Sequence, residues 1–204
     1  MPFPSNMEIS QLQQELSSLR LQNWLGLDLW SLQWWLLLAV LIIPWLIWFR
    51  WVDRRRIFEL LSFGMMAAVF TAYTDALGGN YGLYSYPYEL LPFTATLAPV
   101  SLSFVPVVFM LLYQYSPNWK TFLVNSTLVF AVTAFLAEPL AKYLGMYEMM
   151  RWNYFYSFLV YMGTAVLLRA IHMGFRSMYA DAKRAEPDES RRLIAAPALK
   201  RQDD

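Results

Sequence analysis

At 204 residues the chain is long enough for one soluble domain, but it is 58% hydrophobic and only 15% charged, against roughly 45–50% and 25% in globular proteins. Too few polar side chains are left to coat a particle of this size, and a net charge of +1 offers no footprint for nucleic acid. The absence of cysteine and the presence of one histidine exclude disulfides, thiolate chemistry and two-imidazole mechanisms, and no metal or other cofactor is expected.

The first predicted element is a short helix from Met7 to Leu21, with Ile9, Leu12, Leu16 and Leu19 at spacings of three and four. Such a stripe suits a helix on a membrane surface, or one pairing with a membrane-protein partner or its own copy. It belongs to an N-terminal amphipathic segment, residues 1–28. That segment has no basic stretch or small-residue cleavage site, so no cleavable signal peptide is expected.

Five apolar runs then approach the ~20 residues that a ~30 Å hydrocarbon core requires. They lie at about 29–49, 57–77, 94–115, 121–141 and 154–175. The expected fold is therefore all-α: a polytopic membrane protein built as a bundle of five transmembrane helices. Glu59 follows Arg55 by one turn and is expected to pair with it. Pro99 and Pro106 should bend the third span, by packing or around a cavity. Gln114 and Asn125 could bond to each other as interhelical glue, while Arg169 and His172 could snorkel to an interface. The tail, 176–204, has mixed charge and little apolar content, and is expected to be disordered.

Lys and Arg set the orientation. Arg50, Arg54, Arg55 and Arg56 occupy the first connection, and Lys120 the third. Arg176, Lys183, Arg184, Arg191, Arg192, Lys200 and Arg201 follow the last span, while the second connection has no basic residue. The N-terminus is thus expected outside and the C-terminus in the cytoplasm. Trp30, Trp34 and Trp35 would mark the outer interface, and Trp45, Trp48 and Trp51 the inner one.

Ionisable groups inside a span need a reason to be there. In this topology Asp75 and Glu138 both lie towards the outer ends of their spans, with Lys142 and Arg151 at the same level. The expected outer-rim polar cluster is Asp75, Glu138, Lys142, Arg151, Tyr84 and Tyr86, ringed by Tyr73, Tyr81, Trp152 and Tyr154. It could be a structural network, with Glu138 and Lys142 an i,i+4 pair. The second reading is a pocket in which a desolvated carboxyl donates or accepts a proton, making Asp75 and Glu138 the candidate catalytic residues. The loop GGNYGLYSYPYELLP reads as a folded, tyrosine-rich turn.

The segment PWLIWFRWVDRRRIFELLSFGMMAAVFTAYTDALGGNYGLYSYPYELLP, followed by MLLYQYSPNW, FLAEPL, LGMYE and YSF, resembles a family of small five-span integral membrane proteins. They belong to endospore-forming Gram-positive bacteria of the Bacillus and Paenibacillus type. The resemblance covers about Leu38 to Ala170. It implies topology and a bacterial source and lends no reaction, since the family has no established activity. In that family an acidic residue often stands where this chain has Ser101, so its role would be missing here or filled by Asp75. A fainter similarity to bacterial carotenoid cyclase domains maps onto Asp75, Gly82, Tyr84, Tyr86 and Glu138, although Thr74-Asp75 replaces the expected Trp-Asp step.

The leading expectation is a non-enzymatic scaffold, sensor or assembly partner in the bacterial envelope or spore physiology. It rests on the lack of a nucleotide motif, a metal set or a nucleophile–base pair. The alternative is a membrane enzyme acting on an isoprenoid or lipid by acid catalysis. Third is a small proton- or cation-linked transporter, which would need a polar path that the apolar span centres do not supply.

Overall fold

The computed structural model describes residues 3–92 and 97–185, which divide into two units at Leu168 and Arg169. The described residues are helical, with one small exception at the tyrosine-rich loops. Helix α1 (Asn6–Asn23) starts at a capping box: the Ser5 hydroxyl accepts the Glu8 amide and the Glu8 carboxylate accepts the Ser5 amide. Reciprocal caps of this kind contribute about 1 kcal/mol. No residue of α1 is buried. A π-helical turn, Trp24–Asp28, follows, and then Trp30 adopts a left-handed φ of 66°. That conformation costs a non-glycine residue about 1–2 kcal/mol. Ring contacts with Trp34 at 5.1 Å and Trp35 at 5.7 Å offset it.

Helix α2 (Leu32–Trp51) is capped by Ser31. Helix α3 (Ile57–Asn80) enters through a single turn at Arg54–Arg56. Its partner for Glu59 is Arg56, with bonds of 2.9 and 3.2 Å, in place of the expected Arg55. An Arg one turn before Glu in i,i+3 register presents both guanidinium nitrogens to both oxygens. The Tyr113 hydroxyl also donates to Glu59 at 3.0 Å.

Of the third expected span, the described part is helical only after Leu97. Its helix runs through a π-turn at Val100–Phe104 into α4 (Val105–Gln114), while residues 93–96 lie outside the described part. Pro106 lacks the N–H that would bond the Leu102 carbonyl, and the wider π-turn just before it makes room for the ring. The same device recurs further on. Helix α5 (Trp119–Val132) passes through a π-turn at Thr133–Ala137 into α6 (Glu138–Tyr143), and Pro139 stands two residues past the turn. The final helix, α7, spans Tyr154–Ala185. Residues 176–185, expected in the disordered tail, continue that helix, and the rest of the tail lies outside the described residues.

Among the described residues, four stretches are long and apolar enough to cross a membrane: Leu32–Trp51, Arg54–Asn80, Trp119–Tyr143 and Tyr154–Arg184. The shorter Val100–Gln114 is instead the central element, burying Val107, Phe109, Met110, Leu112 and Tyr113. Around it gather Leu60, Phe63 and Ala67 of α3, Phe122 and Phe130 of α5, and Ala165 and Leu168 of α7. Trp48, expected at an interface, is buried against Val107 and Met110.

Gln114 and Asn125 do not bond to each other. Gln114 closes the end of α2, accepting the Asp53 amide and donating to the Trp51 carbonyl, while Asn125 donates to the Ser116 hydroxyl. A helix C-terminus leaves unsatisfied carbonyls, and a primary amide satisfies one without adding charge. In the second unit, Arg169 and His172 have buried side chains and do not snorkel. Arg184 and Asp181 form an exposed ion pair there at 4.0 Å.

The exception to the all-helical pattern is a two-stranded antiparallel ribbon, β1 (Tyr84–Ser85) with β2 (Glu148–Met149), in the register Tyr84↔Met149 and Ser85↔Glu148. The amides of Met150 and Arg151 extend it onto the Leu83 carbonyl, both at 3.0 Å. Gly82, at φ 62°, turns the chain from α3 into β1, a conformation that a glycine adopts without steric cost.

Candidate functional site

The ribbon brings two tyrosine-bearing loops together, and the carboxylates lie beneath them. Asp75, half-buried near the end of α3, accepts the Tyr86 hydroxyl at 2.6 Å and the Leu97 amide at 3.0 Å. Ser101, buried in the π-turn that precedes α4, lies beside the same carboxylate. Tyr84 donates to the Asp75 backbone carbonyl at 3.4 Å. Glu138 accepts the Ser157 hydroxyl at 2.8 Å on one oxygen and the Tyr161 hydroxyl at 2.7 Å on the other. Ser157 in turn accepts the Trp152 indole N–H at 2.9 Å.

Aromatic rings fill the space between the two acids. Tyr86 stacks on Tyr147 at 5.7 Å, and Tyr84 touches Tyr147 at 5.7 Å and Trp152 edge-on at 5.8 Å. Burial raises the phenols of Tyr84, Tyr86 and Tyr147 above the ordinary phenol range, and the Asp75 charge pushes in the same direction. These phenols therefore stay protonated, and the Tyr86 bond to Asp75 runs from hydroxyl to carboxylate.

Of the expected cluster, the structure thus gathers Asp75, Glu138, Tyr84, Tyr86 and Trp152. Lys142 and Arg151 do not join them: both are exposed, and neither forms an ion pair among the described residues. Glu138 itself opens α6, with Pro139 next to it, and the Glu138 oxygens are directed to hydroxyls of α7. Tyr73 and Tyr81 are 66% and 76% exposed and stand apart from the cluster. Sequence reasoning missed Tyr147, Ser157 and Tyr161. Ser157 and Tyr161 are four apart on one helix, a spacing that places two hydroxyls on the same face.

Gly78 is what lets Tyr84 lie over α3, since a Cβ there would collide with the Tyr84 phenol. Gly78→Ala should therefore destabilise the protein by about 1–3 kcal/mol through overpacking, read as a lower midpoint of thermal unfolding in detergent. Gly163→Ala, where a Cβ meets nothing, is the neutral control.

A second polar group sits beside this cluster and was also missed. Asp28, the last residue of the first π-turn, is 3% exposed and accepts the Glu89 amide at 3.2 Å. The indoles of Trp24 and Trp34 both donate to the Leu90 carbonyl, at 3.2 Å each, so the connector between α1 and α2 is clamped to the tyrosine loop. Burial raises the carboxyls of both Asp28 and Glu89 above the ordinary range. A carboxyl raised on folding stabilises fully below its unfolded value of roughly 4, and that contribution is lost as pH rises through the folded value. Asp28→Asn should therefore flatten the part of the unfolding midpoint's decline with pH that lies above about pH 4, as seen by comparing wild-type and variant pH series. Comparison with protein families, with characterised proteins and with solved structures finds no match for this chain.

Proposed function

We propose that the chain is a multi-pass bacterial cell-membrane protein of five spans that works through contacts as a scaffold, sensor or assembly partner. The membrane placement is supported by the outward faces of its long helices. Only 11% of the α2 window is buried, and Phe58, Val69, Leu128 and Leu136 are each more than 60% exposed. Apolar faces of that extent need lipid or protein against them. The segment 98–114 would reach about 26 Å at 1.5 Å per residue, close to a full crossing. The Lys and Arg distribution supports an outside N-terminus and a cytoplasmic C-terminus. The resemblance to five-span proteins of endospore formers supports a Gram-positive membrane.

The contact reading is carried by α1: an 18-residue capped helix with no buried residue, whose Ile9, Leu12, Leu16 and Leu19 stripe is 43–65% exposed. The test is Leu12→Glu with Leu16→Glu in the full chain, followed by cross-linking in intact cells and sizing in detergent. Loss of a specific cross-linked species or of self-association is expected. An unchanged pattern, with the protein still in the membrane fraction, would remove the reading.

Acid catalysis on an isoprenoid or lipid is favoured by one observation, the aromatic wall of Tyr84, Tyr86, Tyr147 and Trp152 between two carboxylates, which suits a cationic intermediate. Against it, each acid is already engaged by protein donors. Lipid extracts from cells with wild type, Asp75→Asn or Glu138→Gln decide between the two. Identical profiles are the expected result.

A further inference from the structure

A cleft of about 360 Å³ opens between α1, the end of α3 and the tyrosine loop. Arg20, Asn23, Asp28, Tyr84, Tyr86 and Glu89 line it. Its volume lies in the range of small-molecule sites, roughly 300–1,000 Å³. Its walls are fixed by the Trp24 and Trp34 indole bonds to the loop carbonyls, so the space is built before any ligand enters.

The charge inside it is unbalanced. Arg20 acts on Glu89, whose carboxyl it pulls down against the effect of burial. Asp28, with 3% exposure, has no such partner. One Asp28 oxygen takes the Glu89 amide, and the other has no hydrogen-bond partner among the described residues but keeps solvent contact on the cleft side. A carboxylate in that position is open to water or to a cationic donor.

Bare metal ions suit the site poorly. No group of three or more His, Cys, Asp or Glu side chains placed to hold a metal ion occurs among the described residues. An organic ammonium fits: it carries several N–H donors for Asp28 and Glu89 and is attracted to tyrosine faces. Arg20, exposed at the rim, then meets an anionic group on the same molecule, and guanidinium forks favour phosphate.

We propose that this cleft binds a zwitterion joining a primary ammonium to a phosphate, either as an ethanolamine phospholipid headgroup or as free phosphoethanolamine. The lipid source rests on the membrane reading above; the chemistry of recognition does not.

The test titrates the purified full chain with phosphoethanolamine, following tryptophan fluorescence, with phosphocholine as the probe that lacks N–H donors. Wild type should bind phosphoethanolamine at least tenfold more tightly. Arg20→Gln, an exposed substitution that leaves the fold intact, and Asp28→Asn should each weaken it about tenfold, with Glu89→Gln as the second carboxylate variant. Equal affinity for the two probes, or unchanged affinity in Arg20→Gln, would overturn the proposal.

Repeating the titration in nanodiscs identifies the source. Competition by phosphatidylethanolamine but not phosphatidylcholine discs assigns the lipid headgroup, and equal binding in both assigns the free zwitterion. Partition of the protein into the aqueous phase after alkaline extraction would refute the membrane reading alone, and the titration would still report on the cleft.

Discussion

Asp75→Ala is expected to lower the stability of the folded chain by about 2–3 kcal/mol, because it strands two donors at once. The Tyr86 hydroxyl and the Leu97 amide both lose their acceptor, and neither can turn to another without moving the loop that carries it. Tyr86 is further constrained by stacking on Tyr147. Asp75→Asn should cost less, since its carbonyl oxygen keeps one donor and the phenol can rotate to accept from the new amide nitrogen. Thermal unfolding of wild type, Asp75→Asn and Asp75→Ala in one detergent should therefore give a graded series. A chemical role for Asp75 predicts a different pattern, in which the Asn variant matches wild type in stability and loses activity.

That expectation depends on how the fold delivers Asp75 to its partners. Each of the three π-turns among the described residues carries a polar side chain or sets one just beyond it. Asp28 ends the first, Ser101 lies within the second, and Glu138 immediately follows the third. A π-turn inserts a residue into the helical register, so the side chains after it are rotated relative to those before. In α4 and α6 the inserted turn also makes room for a proline ring. One irregularity thus solves a backbone problem and re-aims a polar side chain.

The helical plan was readable in the sequence because runs of apolar residues between charged connections carry it. Four long apolar helices appear where Leu29–Phe49, Ile57–Leu77, Thr121–Ala141 and Tyr154–Phe175 predict them, with ends shifted by a few residues except in the last, which runs on to Arg184. Asp75 and Glu138 stood out for a related reason: a carboxylate in an apolar run is costly unless something binds it. What binds it was not readable. Electrostatic reasoning supplied the cations Lys142 and Arg151, whereas the structure uses the neutral donors Tyr86, Ser157 and Tyr161. Hydroxyls neutralise nothing and so leave no charge pattern in a sequence. Their approach depends on a two-residue ribbon joining loops 63 to 65 positions apart, too short for any alternation of side chains to announce it. Asp28 was hidden similarly, because as a flank of an apolar run it looked like a solvated boundary.

The other large effect is expected at Glu138. Glu138→Ala should cost about 2–3 kcal/mol by leaving the Ser157 and Tyr161 hydroxyls without their shared acceptor. The loss reaches further, because Ser157 also accepts the Trp152 indole, which packs edge-on against Tyr84. Tyr84 in turn touches both Tyr86 and the Asp75 carbonyl. If this chain of contacts is one mechanical unit, Asp75→Ala and Glu138→Ala will not add: the double variant should be more stable than the sum by about 0.5–1.5 kcal/mol. Simple additivity in a double-mutant cycle would mean that the two acids anchor their helices independently. The aromatic wall would then be packing alone, with no coupling between the end of α3 and the start of α7. Trp152→Phe separates the routes, since it keeps a ring against Tyr84 but deletes the indole bond to Ser157. Coupling that survives this change travels through ring contact, and coupling that vanishes travels through the hydroxyl chain.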